Sequence, residues 1–323
     1  MILSLGYIIG AFKLFIGKVM SLSVLLLIIV IAVSLVLFVY FESTSFRVIE
    51  YEIKTDKNIP RDINIVFISD LHNTNTDCLY DRFRKKNRYE GIHTGRNKRL
   101  LNAIDEAAPD FVLLSGDMVT SYMQPRYNSE IALDFLKELS SNHKVFYGLG
   151  NHEMRYLEDQ VKFKGKYDEL KKYVNSLGIS FLENKAELID ELNVGIYGLL
   201  IPMTFYRRVI TQKLSDNFVE KSLGSNDGDK FNILLAHTPD HFDDYAKWEP
   251  DLVLSGHVHG GIVCIPHLGG VISPQLKLFP KYDAGKFKKD KSVMILSRGI
   301  GWHTVPVRIF NKAEMIVIKV EHS

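Results

Sequence analysis

The sequence KVFYGLGNHE at residues 144–153 joins an apolar run to a glycine-rich turn and then to polar side chains. The apolar run has the length and character of a short buried strand. Gly148 and Gly150 allow the chain to turn sharply where this strand ends. Asn151 and His152 are therefore expected on a tight turn, where an amide oxygen can bind a cation and an imidazole can handle a proton. The alternative is an ordinary turn with a capping Asn.

Four other apolar runs also end in a carboxylate or an imidazole. The remaining polar ends are Asp70 and His72 after run 64–69, Asp117 after run 110–115, His237 after run 231–236, and His257 and His259 after run 252–255. These runs are continuous rather than alternating, as in strands covered on both faces. Ligands of layered α/β sheets bind at the carboxyl ends of strands, so five such ends together indicate one site. The pattern predicts a layered α/β/β/α sandwich or a related two-sheet fold.

Seven of these side chains offer nitrogen or oxygen donors, and none offers a thiolate. Seven ligands exceed the four of a tetrahedral structural zinc, but they suit two adjacent metal ions about 3.5–4 Å apart that share one carboxylate. Mixed imidazole and carboxylate donors favour Mn, Fe, Zn or Co over Mg or Ca. The candidate ligands are Asp70, His72, Asp117, Asn151, His237, His257 and His259.

These motifs, in this order, resemble those of the calcineurin-like metallophosphoesterases. They are Asp70-x-His72, Gly116-Asp117, Gly150-Asn151-His152-Glu153, His237 and Gly256-His257-x-His259. The resemblance covers roughly residues 62–323, and Gly260-Gly261, Pro266 and Ser297-Arg298-Gly299 are similar to the bacterial membrane-associated branch of the family. It implies that one metal ion binds Asp70, His72 and His259. The second ion would bind Asn151, His237 and His257, and Asp117 would bridge the two.

The resemblance also implies hydrolysis of a phosphomonoester, a phosphodiester or a pyrophosphate by a metal-activated hydroxide. His152 would protonate the leaving oxygen or stabilise the transition state. One position departs from the family. Many members have an Asp three residues after the bridging Asp, where it orients the catalytic His, and here that residue is Thr120. The departure predicts a less raised pKa for His152, unless Glu153 or a backbone carbonyl replaces the missing carboxylate.

An uncharged segment at residues 19–41 precedes this domain and exceeds the roughly 20 residues that cross a bilayer core. Lys13 and Lys18 precede it and acidic residues follow it, which predicts a cytoplasmic N-terminus and an extracytoplasmic catalytic domain. Its length favours an uncleaved signal anchor in the cell membrane over a cleaved signal peptide. We expect an anchor at 1–45 and a phosphoesterase domain at 46–323; the apolar residues 1–15 could form a second membrane segment.

Candidate substrate contacts lie outside the metal-ligand motifs. A basic stretch after His72 includes Arg84 and Lys85, and it is interpreted either as a solvated loop or as a contact with anionic headgroups or a polyanionic substrate. Arg207 and Arg208, which follow Tyr206, form either a substrate rim or a polar loop. Among the histidines outside the motifs, His303 is the best candidate for a substrate contact.

The composition of the chain limits which other classes of function are compatible with the sequence. The 323-residue chain is 46% hydrophobic and 24% charged, enough for a real core, and Cys78 and Cys264 are expected to be independent thiols. The net charge of +2 and the anchor disfavour a nucleic-acid phosphodiesterase, so no nucleic-acid partner is expected. The anchor favours a lipid-linked phosphate ester, such as a phospholipid or a UDP-diacylglucosamine-type glycolipid. The rival interpretation is a non-catalytic metal-binding scaffold at the membrane.

Overall fold

The computed structural model describes residues 22–76, 97–121, 129–206, 212–261, 264–265, 269–271, 279–302 and 307–323. Its α-helices are α1 (Leu22–Thr44), α2 (Lys98–Ala107), α3 (Glu130–Asn142), α4 (Asn151–Glu158), α5 (Lys166–Ser176), α6 (Phe218–Leu223) and α7 (Phe242–Tyr245). Short 3-10 helices occur at Asp190–Leu192, Met203–Tyr206, Pro239–His241 and Ala246–Trp248. The chain divides into two compact units between Phe41 and Glu42. The domain boundary expected after residue 45 stays a prediction.

Helix α1 matches the predicted apolar segment and extends it to Thr44. Residues 23–44 are long and apolar enough to cross a membrane. Side chains along the helix, from Val24 to Phe41, are largely exposed in the protein alone. An exposed apolar helix of this length is typical of a segment that lies in lipid. Residues 1–21, with the suggested second membrane segment, lie outside the described residues.

The strands form two six-stranded sheets and a two-stranded ribbon. They are β1 (Phe46–Thr55), β2 (Ile63–Ile68), β3 (Phe111–Ser115), β4 (Val145–Gly148), β5 (Ser180–Leu182), β6 (Lys185–Ile189), β7 (Val194–Gly198), β8 (Phe231–Leu235), β9 (Leu252–Ser255), β10 (Cys264–Ile265), β11 (Gly269–Gly270), β12 (Gly285–Lys289), β13 (Ser292–Leu296) and β14 (Ala313–His322). The ribbon pairs β10 with β11.

The first sheet has the order β1-β14-β2-β3-β4-β5, and β2 to β5 run parallel. The second sheet has the order β12-β13-β9-β8-β7-β6, in which β7, β8, β9 and β13 run parallel. Parallel neighbours place their carboxyl ends at one edge of a sheet. The strand ends predicted to carry the site therefore belong to adjacent strands: β2, β3 and β4 in the first sheet, and β8 and β9 in the second.

The core has three apolar clusters, which confirm the layered α/β/β/α architecture. Phe67, Phe111 and Phe146 of the first sheet pack against Ile233 and Leu254 of the second. The opposite face of the first sheet packs against α2, α3 and α5, and the opposite face of the second packs against Phe242, Tyr245 and Trp248. Because both faces of each sheet are covered, the central strands are continuously apolar.

Three local expectations differ from the structure. The charged residues 157–177 have a helical pattern that predicts one long helix, but this prediction is wrong: α4 ends at Glu158, and α5 begins at Lys166 after Gly165, whose φ is 76°. Asn151 and His152 lie in the first turn of α4 rather than in a turn before it. Strand β12 lies in a span for which no element was predicted. Its alternating Lys side chains suit an edge strand but do not form an apolar run.

Candidate metal centre

The five predicted strand ends meet at one point between the two sheets. The loop after β2 is joined to the loop after β3, since the backbone N–H of Asp70 donates to the carbonyl of Gly116 at 3.0 Å and that of His72 to the carbonyl of Asp117 at 3.0 Å. In the second sheet the N–H of Gly256 donates to the carbonyl of His237 at 2.9 Å. Backbone hydrogen bonds thus set the spacing of the polar side chains before any ligand binds.

Five of the candidate ligands have a left-handed backbone, which non-glycine residues seldom adopt. Their φ angles are 54° for Asp70, 47° for His72, 53° for Asp117, 72° for His257 and 52° for His259. Such strained residues persist only where the surrounding structure holds them, and they cluster at functional sites. The sharp turns bring the end of each strand back toward one centre.

Two glycines allow the loops after β3 and β4 to approach each other closely. A Cβ atom on Gly150 would lie 2.3 Å from Oδ1 of Asp117, and one on Gly116 would lie 2.2 Å from the backbone nitrogen of Gly150. No side chain fits at either position. In the same place the N–H of His152 donates to Oδ1 of Asp117 at 2.8 Å, which leaves Oδ2 facing the centre.

The first donor group consists of Asp70, His72 and His259, all buried, whose ligand atoms lie within 4.8 Å of one another. Oδ1 of Asp70 lies 3.4 Å from Nε2 of His259 and 3.7 Å from Nε2 of His72. The two imidazole Nε2 atoms are 3.1 Å apart, and their rings stack. The carboxylate itself accepts the backbone N–H of His257 at 3.1 Å, which fixes its orientation.

The second donor group consists of Asp117, His237 and His257, whose ligand atoms also lie within 4.8 Å of one another. Oδ2 of Asp117 is 3.2 Å from Nε2 of His237 and 3.7 Å from Nε2 of His72. This carboxylate oxygen therefore lies between the two groups. The buried Oδ1 of Asn151, the amide that precedes His152, has no hydrogen-bond partner.

The donor set fits metal ions. Nδ1 of His237 lies 2.6 Å from the carbonyl of Ser115, and because a carbonyl only accepts, Nδ1 carries the proton. In the neutral ring Nε2 then presents a lone pair toward the oxygen of Asp117. Crowded lone pairs and an unpartnered buried amide oxygen, as at Asn151, are costly without a cation. A ligating imidazole whose other nitrogen donates to a carbonyl is the usual arrangement at metal sites.

The close packing of carboxylates and imidazoles also shifts the pKa values of the candidate ligands. Burial alone would raise the pKa of Asp117, but the charge and the hydrogen bond of His237 outweigh burial and hold this pKa well below its usual range. Burial would lower the pKa of His237, yet Asp117 and Asp70 beside it raise this pKa to about 9. Burial, together with the charge of His237, lowers the pKa of His257 to about 3. In the protein alone, therefore, a proton on His237 provides the positive charge that the two carboxylates attract.

His152 lies beside the donor groups and is oriented by Ser121. The backbone N–H of Ser121 donates to Nδ1 of His152 at 2.7 Å, and its hydroxyl lies 2.8 Å from the same atom. Oγ1 of Thr120 is more distant, at 3.4 Å. The group at Nδ1 is therefore a backbone donor rather than either of the substitutes considered for the missing carboxylate, Glu153 or a backbone carbonyl.

Glu153 instead fixes the backbone around the site. Its buried carboxylate accepts the N–H groups of Asp117 and Gly150 at 2.9 Å each and that of Met118 at 3.0 Å. It also accepts the Tyr147 hydroxyl at 2.7 Å. A carboxylate accepts several donors at once, so Glu153 can clamp the loop after β3 to the start of α4.

A second network, not anticipated from sequence, supports the His259 loop from the C-terminal part of the chain. Nδ2 of Asn311 donates to the carbonyl of His259 at 2.7 Å and to that of Gly261 at 2.5 Å, while its Oδ1 accepts Nη1 of Arg298 at 2.8 Å. The buried guanidinium of Arg308 donates to the carbonyls of Arg298, Gly299 and Gly301. No local motif indicates the contacts of Asn311 with His259 and Gly261, because they join residues about fifty positions apart.

The candidate substrate contacts lie outside the described residues; they are Arg84, Lys85, Arg207, Arg208 and His303. Cys78 also lies outside them, and Cys264 is a buried free thiol.

Comparison with known proteins identifies relatives. An uncharacterized metallophosphoesterase of Campylobacter jejuni is 25% identical over 264 residues, 82% of this chain and 60% of its own length. A zebrafish (Danio rerio) transmembrane protein with a metallophosphoesterase domain is 26% identical over 286 residues, 84% of this chain and 57% of its own length. A phosphodiesterase of Escherichia coli is 26% identical over 263 residues, 81% of this chain and 84% of its own length. The chain spans 60% and 54% of the lengths of the matched Campylobacter and Helicobacter relatives.

The family model of the calcineurin-like phosphoesterases matches residues 63–261. This range includes all five predicted strand ends and both donor groups. It stops before Arg298, Arg308 and Asn311, which support the site from outside the matched region. The match covers more than half of the chain, and the chain therefore belongs to the calcineurin-like phosphoesterase family.

Proposed function

We propose that the protein is a membrane-anchored phosphoesterase that holds two divalent metal ions. Asp70, His72 and His259 would hold one ion. Asn151, His237 and His257 would hold the other, and Asp117 would contact both. The observation that carries this proposal is the position of Asp117 Oδ2, 3.2 Å from Nε2 of His237 and 3.7 Å from Nε2 of His72.

When bound, two divalent ions supply positive charge for the phosphoryl oxygens and lower the pKa of a coordinated water. The side chains of this protein set where that chemistry occurs. Asp70 and Asp117 are anchored by the backbone N–H groups of His257 and His152, so neither carboxylate needs to reorganise when substrate binds. Preorganised groups of this kind account for much of the rate enhancement of enzymes.

The role of His152 follows from its hydrogen bond to Ser121. The donated N–H occupies the lone pair of Nδ1, so the neutral ring carries its proton on Nε2. This Nε2 lies 4.0 Å from Oδ2 of Asp117, beside the donor groups. A neutral imidazole acts as a hydrogen-bond donor to developing negative charge. His152 would therefore stabilise the leaving oxygen through Nε2–H, and the final proton would come from water.

The substrate proposed is a phosphodiester or pyrophosphate carried by a lipid. The E. coli relative is named a phosphodiesterase and the zebrafish relative a transmembrane protein, and α1 has the length and composition of a membrane anchor. An anchored enzyme and a lipid substrate diffuse in the same membrane plane, which raises their rate of encounter. The anchor gives no such advantage with a soluble substrate. The catalytic unit would lie on the extracytoplasmic side, by the charge bias of Lys13 and Lys18.

The test compares substrates on the full-length protein in detergent, stripped with EDTA and reloaded with Mn²⁺. We expect release of p-nitrophenol from bis-p-nitrophenyl phosphate at a higher kcat/KM than from p-nitrophenyl phosphate. We also expect hydrolysis of a lipid pyrophosphate in mixed micelles. A protein that binds two Mn²⁺ ions but hydrolyses none of these would be a metal-binding scaffold. Preference for the monoester would contradict the diester assignment.

A further inference from the structure

Tyr206 lies against the second donor group without belonging to it. It ends the 3-10 helix Met203–Tyr206, which follows β7, and only 7% of the residue is exposed. Its ring meets that of His257 edge to face at a centroid distance of 5.0 Å and lies 6.2 Å from the ring of His237. A large aromatic side chain thus forms a wall of the site on the side of the second sheet.

The hydroxyl group of Tyr206 is buried and has no hydrogen-bond partner. Three other buried tyrosines do donate hydrogen bonds: Tyr147 to Glu153, Tyr156 to the carbonyl of Thr120, and Tyr245 to the carbonyl of Thr238. A buried unpartnered hydroxyl is costly, and in native proteins it calls for an explanation such as a ligand. Packing alone does not provide one, because a Phe would fill the same space without the cost.

The position of Tyr206 relative to His152 suggests what the hydroxyl binds. His152 belongs to α4, and the 3-10 helix is attached to α4 through the N–H of Met203, which donates to Oε1 of Glu158 at 3.0 Å. The phenol thus belongs to a segment that follows β7 of the second sheet and contacts His257, whereas the imidazole of His152 belongs to a helix that follows β4 of the first sheet.

We propose that the Tyr206 hydroxyl donates a hydrogen bond to a phosphoryl oxygen of the bound substrate. This assignment rests on the proposed phosphoesterase function and adds a substrate contact that is not a metal ligand. Phosphoryl oxygens only accept hydrogen bonds, so they complement a phenol without a local acceptor. A hydrogen bond to a charged oxygen is stronger than one between neutral groups, and the burial of the Tyr206 hydroxyl strengthens it further.

The test measures binding of inorganic phosphate to the full-length, Mn²⁺-loaded protein by calorimetry, which requires no turnover. Tyr206→Phe is expected to weaken phosphate binding about tenfold, the effect of losing one hydrogen bond to a charged group. Its Mn²⁺ content should equal that of the wild type, and its melting temperature without phosphate should be no lower, because the substitution removes an unsatisfied hydroxyl. The matched control, Tyr245→Phe, removes a hydroxyl already bonded to Thr238 and should leave phosphate affinity unchanged.

The outcomes separate this proposal from the proposed function. Unchanged phosphate affinity in Tyr206→Phe would overturn the assignment even if the wild type is an active phosphoesterase. Loss of Mn²⁺ from Tyr206→Phe would also overturn it, since the residue would then act only on the structure of the metal centre. If the wild type hydrolyses no ester but binds phosphate more tightly than Tyr206→Phe, the proposed function fails while the phosphate contact stands.

Discussion

Ser121 donates its backbone N–H to Nδ1 of His152 at 2.7 Å. In this bond Nδ1 is the acceptor. A carboxylate would instead accept a hydrogen bond from a protonated Nδ1 and would favour the charged ring. With Thr120 at the position where many relatives have an Asp, the imidazole keeps Nδ1 unprotonated. The departure in sequence thus changes the protonation pattern of the ring rather than leaving it without an orienting partner.

The first prediction concerns this ring. His152→Ala should lower kcat about 10²-fold or more, because a donor to developing charge is lost. Ser121→Ala should lower kcat only a few-fold, because the backbone N–H remains. The measurement is kcat with bis-p-nitrophenyl phosphate at saturating Mn²⁺. A loss in Ser121→Ala as large as that in His152→Ala would show that the hydroxyl, not the N–H, orients the ring.

The second prediction concerns Asn151. Asn151→Ala removes a buried amide oxygen that lacks a protein partner, so it should weaken only one of two Mn²⁺ sites, by about 10-fold or more. Calorimetric titration should resolve one site with wild-type affinity and one weakened site. His143→Ala is the matched control: His143 pairs with Asp105 on the surface, and its loss should leave both sites intact. Equal weakening of both sites in Asn151→Ala would contradict the assigned division of ligands.

The third prediction concerns the contact between the loops after β3 and β4. Gly150→Ala places a Cβ atom 2.3 Å from Oδ1 of Asp117, so the loops must separate. We expect the free energy of unfolding to fall by about 1–3 kcal/mol, as for other overpacked sites, with loss of Mn²⁺ binding. In Gly228→Ala the added Cβ meets nothing within 4 Å, and both properties should be retained. Urea unfolding and metal analysis measure the difference, and a stable, metal-loaded Gly150→Ala would refute this account of the glycine.

The fourth prediction concerns Asn311, which lies outside the region matched to the family. Asn311→Asp keeps the size of the side chain but replaces the Nδ2 donor with an acceptor that repels the carbonyls of His259 and Gly261. Support of a ligand by such outer contacts is typically worth 10–100-fold in metal affinity, so we expect a loss of about this size at one Mn²⁺ site. Asn226→Asp is the matched control, because Nδ2 of Asn226 also donates to two backbone carbonyls, but to those of Trp248 and Glu249 rather than those of His259 and Gly261. Wild-type Mn²⁺ affinity in Asn311→Asp would show that the network does not position the ligand.

The sequence predicted the central strands and the clustering of polar residues because both have local signatures. Strands β2, β3, β4, β8 and β9 are continuous apolar runs, and each ends in side chains whose chemistry is unusual for a turn. Strand β12 escaped prediction because its residues, GKFKK, alternate at a sheet edge and bury little. The break between α4 and α5 depends on the conformation of Gly165, which helical periodicity does not report.

The contacts that orient the site could not be predicted for a different reason. The partner of His152 is a backbone N–H, and every residue except proline has one. The contacts of Asn311 and Arg308 depend on the path of the chain between β13 of the second sheet and β14 of the first, and neither residue belongs to a motif. From sequence, the stretch Tyr206 to Arg208 is interpreted as either a substrate rim or a polar loop, whereas the structure buries the ring of Tyr206 against His257.

The most direct test of the central claim is the rate of p-nitrophenol release from bis-p-nitrophenyl phosphate as a function of Mn²⁺ bound per chain. It is measured on the EDTA-stripped full-length protein in detergent. Two ions that share Asp117 predict little turnover up to one equivalent and full turnover at two. Full turnover at one equivalent, or turnover that survives EDTA, would contradict the two-metal site.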